Sequence, residues 1–306
     1  MIDFSLRALR YFAAAAERGN VTLAARALNV SQPSISLAIA QLERSLGVQL
    51  FVRQHARGVA LTPAGTEVLR EVRKLLSQAN DFSANLAGVG EALRGTLSIG
   101  CLTYLLPRYL GGIISGFTAR HPEIELAFRE GDQAALQNGM LDGEIEVALT
   151  YDLMLPRRFA IERLLALPPY VLLPAGHRLA RRPAISLRDI HAEPCVLLDL
   201  PISRDYFAAI FGALQLTPQV RYRTASVEAV RSFVGNGLGF SILNHPSRTS
   251  TTYDGRRTKA VALTDSLQPA WIAGVHLADH RLRPAALAFL SFAREFFGEE
   301  GRAPAD

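Results

Sequence analysis

The chain has 306 residues, 49% of them hydrophobic, which is enough for two or three domains that each bury a core. Its net charge of +5 is concentrated at one end, because residues 1–62 hold seven arginines against three acidic residues. Such a local excess indicates a polyanionic partner. Arginines interrupt the apolar stretches 4–18 and 100–117, so we expect neither a signal peptide nor a membrane span, and a cytoplasmic protein.

The first 47 residues show the spacing of three helices. Apolar side chains recur at three- and four-residue steps over 4–18, which predicts a first helix. A second helix is predicted over 20–30. Ser31 then stands where an N-cap belongs, Pro33 falls in the first turn, and Gly47 supplies a left-handed end, which predicts a third helix. The second helix is expected to turn inward Leu23, Ala24, Ala27 and Leu28.

The third helix has two contrasting faces. One face is apolar and should pack inward through Ile35, Ile39, Leu42 and Leu46. The other carries short or polar side chains, namely Gln32 at the helix start with Pro33, Ser34, Leu37, Gln41 and Arg44. Small side chains let a helix enter a DNA groove, and an amide can read a base edge. The pattern is therefore that of a helix-turn-helix, with an ordinary helical hairpin as the alternative.

A two-stranded wing is predicted after the third helix, over residues 48–62. Its turn carries Arg53, His55 and Arg57, which could hold the phosphates that flank a base-reading helix. A basic turn without such a role is the alternative. Thr62 and Pro63 then provide the N-cap and first residue of another helix.

A heptad pattern follows the wing. Apolar residues spaced alternately four and three apart run through Val68, Val72, Leu75, Ala79, Phe82, Leu86, Val89 and Leu93. This spacing predicts a long helix that pairs with a copy of itself, and we assign the dimer contacts to the first six of these residues. Glycines at 88, 90 and 95 mark the boundary with the next domain.

The stretch from Leu9 to Gly65 contains AARALNVSQPSIS, QLERSLGVQLF and LTPAG. It resembles the winged helix-turn-helix of LysR-type transcriptional regulators, and the resemblance extends over essentially the whole chain. Where that family usually has an arginine this chain has Leu37, which offers a contact to a thymine methyl but no hydrogen bond. We assign DNA contacts to Thr22, Ser31, Gln32, Pro33, Ser34, Ser36, Leu37, Gln41, Arg53, His55, Arg57 and Thr62.

Strands and helices alternate from Thr96 onward, which predicts parallel pairing with right-handed crossovers. The order resembles the effector-binding domain of the same family, two α/β lobes similar to periplasmic binding proteins. The chain is expected to cross between lobes near 165–170 and 262–270. The predicted fold is thus α/β overall, with a helical winged domain (1–62), a linker helix (63–94), an effector domain (95–300, lobes about 96–166 with 267–300, and 167–266) and a disordered tail (301–306).

Small molecules bind beyond the carboxyl ends of parallel strands in such folds. Reading those ends from the sequence gives a candidate effector site, in which Thr103, Thr150 and Ser203 resemble hydroxyl positions of the family's pocket. Hydroxyls and one arginine suit a small carboxylate or similar anion. Arg204 could instead pair with Asp205 or another acid, and Thr103 could cap a helix near Leu106. The full candidate set is Thr103, Tyr104, Thr150, Pro201, Ser203, Arg204, Thr224 and Ser226.

Other motifs point away from catalysis and cofactors. The glycines of GNGLG, at 235, 237 and 239, follow a helix and precede a strand, which is the wrong order for a dinucleotide loop. His276 and His280 are four apart but not on a helix, so no metal site is predicted. His177 is expected to be a hydrogen-bonded structural residue. Cys101 and Cys195 are interpreted as buried hydrophobes, with a redox pair as the alternative.

The sequence therefore favours a DNA-binding regulator that is not an enzyme and has no membrane partner. We expect it to act as a homodimer or homotetramer on an interrupted palindrome and to contact RNA polymerase. It should respond to a small molecule bound between the two lobes of its C-terminal domain, without any other cofactor. The alternative is a small-molecule binding module or enzyme whose basic N-terminal domain serves only to dimerise. Salt-dependent retention on duplex DNA separates the two hypotheses.

Overall fold

The computed structural model describes residues 4–54, 58–87 and 93–301. The chain forms two compact units, one of Met1–Ala148 with His276–Leu290 and the other of Leu149–Val275 with Ser291–Asp306. The domain and lobe boundaries expected from the sequence stay predictions. No helix within the described ranges has both the length and the apolar content needed to cross a membrane.

The N-terminal region contains three short helices, a hairpin and a long helix. Ser31 caps the third helix, since its hydroxyl accepts the Ser34 N–H, and Gly47 ends it in the left-handed conformation. The two strands pair antiparallel, as expected for a wing. The elements are α1 (Leu6–Arg18), α2 (Val21–Ala27), α3 (Gln32–Leu46), β1 (Phe51–Gln54), β2 (Gly58–Leu61) and α4 (Pro63–Ala87).

The core of this region confirms the inward face of α3 and corrects that of α2. Ile35, Ile39 and Leu42 are buried together with Leu9 and Phe12 of α1. In α2 the buried residues are Ala24 and Ala25, whereas Leu23 and Ala27 are exposed. Val21 and Leu28 are partly buried against the same core, so the inward face follows the helical spacing 21, 24, 25 and 28, displaced from the predicted face.

The first turns of α4 belong to the same core. Leu69 and Val72 are buried there, with Val68 and Leu76 partly buried against them. Gly65 is pressed onto the chain before β1, because a Cβ at this position would overlap the carbonyl oxygen of Leu50. The start of α4 is therefore fixed to the winged domain rather than free of it.

The remainder of the first unit has the predicted strand and helix order. The predicted helix from Leu106 to His121 instead begins with a π-helical turn, Leu106–Leu110, before α5. Strands β3 and β4 pair in parallel from Gly95↔Ile124 to Leu102↔Gly131, as expected for a strand–helix–strand unit. The elements are β3 (Gly95–Leu102), α5 (Gly111–Arg120), β4 (Ile124–Gly131), α6 (Gln133–Leu141) and β5 (Val147–Tyr151), which runs into the second unit.

The second unit combines parallel and antiparallel strands. Strands β9 and β10 pair in parallel, whereas β7 lies antiparallel to both β11 and β12. Strands β6 and β8 were not predicted. The elements are β6 (Phe159–Leu167), β7 (Tyr170–Pro174), β8 (Ala184–Ile185), β9 (Pro194–Leu198), α7 (Pro201–Ala213), β10 (Gln219–Thr224), α8 (Val227–Gly235), β11 (Ser241–Leu243), β12 (Thr258–Leu263), β13 (Ala270–Leu277) and α9 (Pro284–Glu300).

An ionic network joins three parts of the first unit. Arg73 of α4 pairs with Glu17 of α1, with 3.7 Å between Nη2 and Oε1. The same guanidinium pairs with Glu144, in the segment between α6 and β5. Arg129 of β4 reaches the second oxygen of Glu144 at 2.7 Å. Arg73 thus links the winged domain, the linker helix and the strand–helix region that follows.

Candidate DNA interface and effector site

The outer face of α3 is exposed as the sequence predicted. Gln32, Pro33, Ser34, Leu37 and Gln41 are all exposed, while Ser36 on the flank is half-buried. Arg44 is exposed one turn further along. A row of small and polar side chains thus faces away from the core over three turns of helix, which is the shape that enters a major groove.

Hydrogen bonds hold the first turn of α3 in a defined arrangement. The Gln32 side-chain amide donates to the Ser36 hydroxyl at 2.8 Å, so its Oε1 is left to accept a hydrogen bond. The Ser31 and Ser34 hydroxyls are 2.6 Å apart, and Ser31 also caps the helix. Gln32 is therefore oriented before any partner arrives, which lowers the entropy cost of binding.

Two threonines of the predicted interface lie at helix starts. Thr22 is exposed in the first turn of α2, where its backbone N–H donates to Asn20. The Thr62 hydroxyl donates to the Gln49 carbonyl at 2.7 Å and accepts the Gly65 N–H at 2.8 Å. Thr62 thus fixes the junction of wing and linker helix, as its predicted capping role requires.

The wing arginines stay predictions. The backbone of Arg53 lies in β1, opposite Val59 of β2, but its side chain lies outside what the structure describes. His55 and Arg57 are outside the described residues altogether. The wing itself is present on either side of them.

The dimer seam stays a prediction. Val72 is 5% exposed within a single chain, because the first turns of α4 pack against the winged domain. Leu75 is 41% exposed and keeps the character expected of a seam residue. Leu93 lies beyond the end of α4, and Val89 lies outside the described residues. The side chains of Phe82 and Leu86 are likewise not described.

The candidate effector residues of the first unit lie in the turn after β3. Thr103 is exposed, and its backbone N–H donates to the Gly131 carbonyl at 3.0 Å. The following turn has Leu105 at its cap position and no side-chain cap, so the capping alternative for Thr103 is not realised. Tyr104 beside it is half-buried. The Thr103 hydroxyl is therefore presented at the carboxyl end of a parallel strand.

In the second unit an acidic residue organises the strand ends. Asp199 follows β9, and its Oδ1 lies 3.3 Å from Nη1 of Arg204 in α7. Its Oδ2 lies 3.6 Å from Nη1 of Arg223 in β10. The Asp199 N–H also donates to the Thr224 carbonyl at 2.8 Å. Arg204 therefore has the ion pair considered as its alternative role, although with Asp199 rather than Asp205.

Asp199 and Arg223 were not among the residues predicted from the sequence. Both lie at the ends of parallel strands, so the rule that selected Arg204 and Thr224 applied equally to them. Two guanidinium groups around one carboxylate leave a net positive charge at this edge. The edge is therefore suited to an anion that either adds to Asp199 or displaces it from one arginine.

The remaining candidates differ in what their hydroxyls do. Ser226 caps α8, accepting the Ala229 N–H at 3.3 Å, and Thr224 accepts the Ser226 N–H at 3.2 Å. Ser203 is half-buried and Pro201 exposed in the first turn of α7. Thr150 is 1% exposed in β5, and its Oγ1 has no hydrogen-bond partner. A buried hydroxyl without a partner costs about 1–3 kcal/mol, so a ligand atom that reached Thr150 would remove a real penalty.

The motifs set aside in the sequence have structural explanations. Gly239 has φ +150°, and a Cβ there would overlap the Pro194 carbonyl, which accounts for the end of GNGLG. His177 is hydrogen-bonded as expected: its Nδ1 accepts the Leu179 N–H at 3.2 Å, and its Nε2 lies 2.9 Å from Oε2 of Glu193. His276 lies in β13. The part of the chain that the structure describes has no cluster of three His, Cys, Asp or Glu placed to hold a metal ion.

Both cysteines behave as buried hydrophobes. Burial, with a smaller contribution from the Glu130 carboxylate, raises the pKa of the Cys101 thiol to about 12. Burial likewise raises the pKa of Cys195 to about 12 against an opposing influence of Arg223. A thiol that stays protonated at neutral pH is a poor nucleophile, which counts against the redox alternative.

The N-terminal region is a winged helix-turn-helix with an exposed outer face, and the region after it is an α/β domain with polar strand ends. This combination defines a class of protein in which a DNA-binding domain is joined to a domain of the ligand-binding type. Residues 6–66 match the bacterial regulatory helix-turn-helix proteins of the lysR family, and residues 90–298 match the LysR substrate binding domain. The chain belongs to the LysR family of transcriptional regulators.

Individual relatives agree with this assignment. The crystal structure of HinK, a LysR family transcriptional regulator from Pseudomonas aeruginosa, is 37% identical, covers 97% of this chain and 100% of its own, and superposes with a TM-score of 0.67. The uncharacterized HTH-type transcriptional regulator YnfL of Escherichia coli is 29% identical over 94% of this chain and 97% of its own. The effector binding domain of QuiR, solved with shikimate, is 17% identical with a TM-score of 0.59 over 68% of this chain and 99% of its own, and shows the fold alone.

Proposed function

We propose that this regulator binds an interrupted palindrome in double-stranded DNA as a dimer or tetramer, and that a small anion bound at the strand ends of its effector domain controls it. The observation that carries the proposal is the outer face of α3, exposed over three turns above a buried core. The role is one of binding rather than catalysis. Contact with RNA polymerase and a cytoplasmic location complete the proposal.

The case for a small anion rests on the second unit. Arg204 and Arg223 share one carboxylate, and the hydroxyl of Thr150 is buried without a partner. A carboxylate ligand would offer oxygen acceptors to guanidinium groups and to hydroxyls at the same time. Shikimate, the ligand of the QuiR domain, is for this chain a probe and not an assignment.

DNA binding is tested by the salt dependence of affinity for duplex DNA. We expect log K to fall linearly with log salt, with a slope of about −0.9 for each phosphate contacted. A fragment selected from random duplexes should bind more tightly than bulk DNA at every salt concentration. A protein retained on neither heparin nor duplex DNA would support the alternative, in which the N-terminal domain serves only to dimerise.

Whether the effector acts through Thr103 is tested by Thr103→Val in the full chain. Footprints on the selected fragment would be compared with and without each member of a panel of small carboxylates that includes shikimate. We expect the variant to keep its DNA affinity and to lose the footprint change that one carboxylate causes in the native protein. Thr217→Val, an exposed threonine after α7, is the matched control. An unaltered response in Thr103→Val would place the ligand elsewhere, and a native protein unresponsive to every carboxylate would contradict the anion proposal.

A further inference from the structure

The largest apolar side chain on the outer face of α3 is Leu37. It is 58% exposed, more than any other large hydrophobic side chain described between residues 4 and 87. Leu37 is not part of the buried core, to which α3 contributes Ile35, Ile39 and Leu42 from its opposite face. More than half of the Leu37 side chain therefore remains available for contact with a partner.

The surroundings of Leu37 on the helix are small, polar and free of acidic groups. Pro33 precedes it by one turn and Gln41 follows it by one turn, both exposed. On the flank Ser36 is occupied by the Gln32 amide at 2.8 Å. Leu37 therefore stands in the middle of the outer face with hydrogen-bonding groups toward the helix start and no carboxylate to repel phosphates.

We propose that Leu37 is a specificity-determining residue that packs against the C5-methyl group of a thymine in the major groove of each half-site. This inference rests on the proposed DNA-binding function and deepens it. Thymine alone among the four bases presents an apolar group in the major groove, while the others present donors and acceptors. A leucine placed over those polar groups removes water from them without replacing its hydrogen bonds. Leu37 thus selects thymine both by attraction and by the penalty at every other base.

The expected effect follows from the size of the contact. Burying one methyl group against a leucine corresponds to about a fourfold change in affinity for each half-site. The effect requires no change in Watson–Crick pairing, because uracil differs from thymine only in lacking the methyl group. It is therefore separable from base-pair recognition by hydrogen bonds.

The test begins with a duplex selected from a random-sequence library on the full-length protein. Each thymine of one half-site is replaced in turn by uracil, and affinities are measured by fluorescence anisotropy at fixed salt. We expect one position at which uracil weakens binding about fourfold in the native protein. At that position Leu37→Ala should bind thymine and uracil equally, whereas Leu37→Met, which keeps an apolar side chain of similar length, should keep the preference.

Further arms distinguish the possible failures. Gln32→Ala is the matched control, expected to lose affinity but keep the uracil effect. 5-Methylcytosine at the same position should bind more tightly than cytosine to the native protein and not to Leu37→Ala. A uracil effect that survives in Leu37→Ala would assign the methyl contact to another side chain and overturn the proposal, as would affinity insensitive to uracil throughout the half-site. If no duplex is selected at all, the proposed function itself fails.

Discussion

The outer face of α3 and the strand ends around Asp199 are both candidate binding surfaces, but they are built in different ways. On α3 all the members belong to one helix, so that helix and its caps position all of them. Around Asp199 the members come from α7, β9 and β10, and the pairing of two strands brings them together. A surface on one helix depends on local sequence, whereas a surface at strand ends depends on the whole of its domain.

The largest expected effects come from two glycines that each support one of these surfaces. Gly65→Ala would force a Cβ onto the Leu50 carbonyl, and Gly239→Ala would force one onto the Pro194 carbonyl at φ +150°. We expect each to cost at least about 2 kcal/mol of unfolding free energy in its own region. Hydrogen exchange should show faster opening of α1–α4 in the first variant and of β9–β11 in the second.

Gly212→Ala is the matched control for both glycines. Gly212 lies in α7, and a Cβ at this position would meet no neighbouring atom within 4 Å. Alanine there should leave the free energy of unfolding unchanged or raise it by up to about 1 kcal/mol. If Gly65→Ala and Gly212→Ala unfolded with the same free energy, the close contact between α4 and Leu50 would not be present in solution.

A substitution at Leu75 tests whether the α3 surface binds its DNA site as a single chain or as a dimer. A glutamate at this exposed seam position would be buried unpaired between two copies, so Leu75→Glu should dissociate the dimer and abolish palindrome binding. Sedimentation velocity measures the dissociation, and the effector domain should stay folded. Glu71→Gln, a change of one charge at an exposed site on the same helix, should leave the dimer intact. A dimeric Leu75→Glu protein would move the interface to the effector domain.

Gln32→Ala probes the α3 surface alone and should leave the Asp199 surface untouched. We expect a loss of about 1–3 kcal/mol on the selected fragment and much less on random DNA, because a base contact is lost. Ser36→Ala, which removes the acceptor that orients Gln32, should produce a smaller loss of the same kind. Anisotropy titrations on both kinds of duplex measure these values, and equal losses on the two would exclude base reading by Gln32.

The difference between a surface on one helix and a surface at strand ends also explains how much could be predicted from the sequence. Caps at Ser31 and Gly47 and the spacing of Ile35, Ile39 and Leu42 are local signals, so α3 and its outer face were predicted residue by residue. The burial of Val72 in its own domain was not predicted, because its heptad position fits both a dimer seam and a core, and no local signal separates them. The strand-end rule could have selected Asp199 and Arg223, but their meeting depends on the pairing of β9 with β10, which spacing along the chain does not show.

The smallest expected effect concerns the cysteines, one in each unit. Their pKa values, raised to about 12 chiefly by burial, keep both thiols protonated at pH 8. Ellman's reagent should therefore find almost no reactive thiol in the native protein and two in denaturant. Reactivity should rise with pH toward 12, since the thiolate is the reacting form. Rapid reaction of either thiol in the native protein at pH 8 would revive the redox alternative.

The Arg73 network has a consequence for any study that cuts the chain into fragments. The two family matches end at 66 and begin at 90, which invites a cut within or just after α4. A fragment ending at 87 keeps Arg73 and Glu17 but loses Glu144, and a fragment starting at 90 keeps Glu144 and Arg129 but loses Arg73. The Arg73 and Glu144 side chains are mostly buried, so the cut leaves each of them without its partner in that pair. The cut removes the ion pair that joins the two fragments. An effector titration on the isolated effector domain therefore measures an affinity to which the winged domain and the linker helix do not contribute.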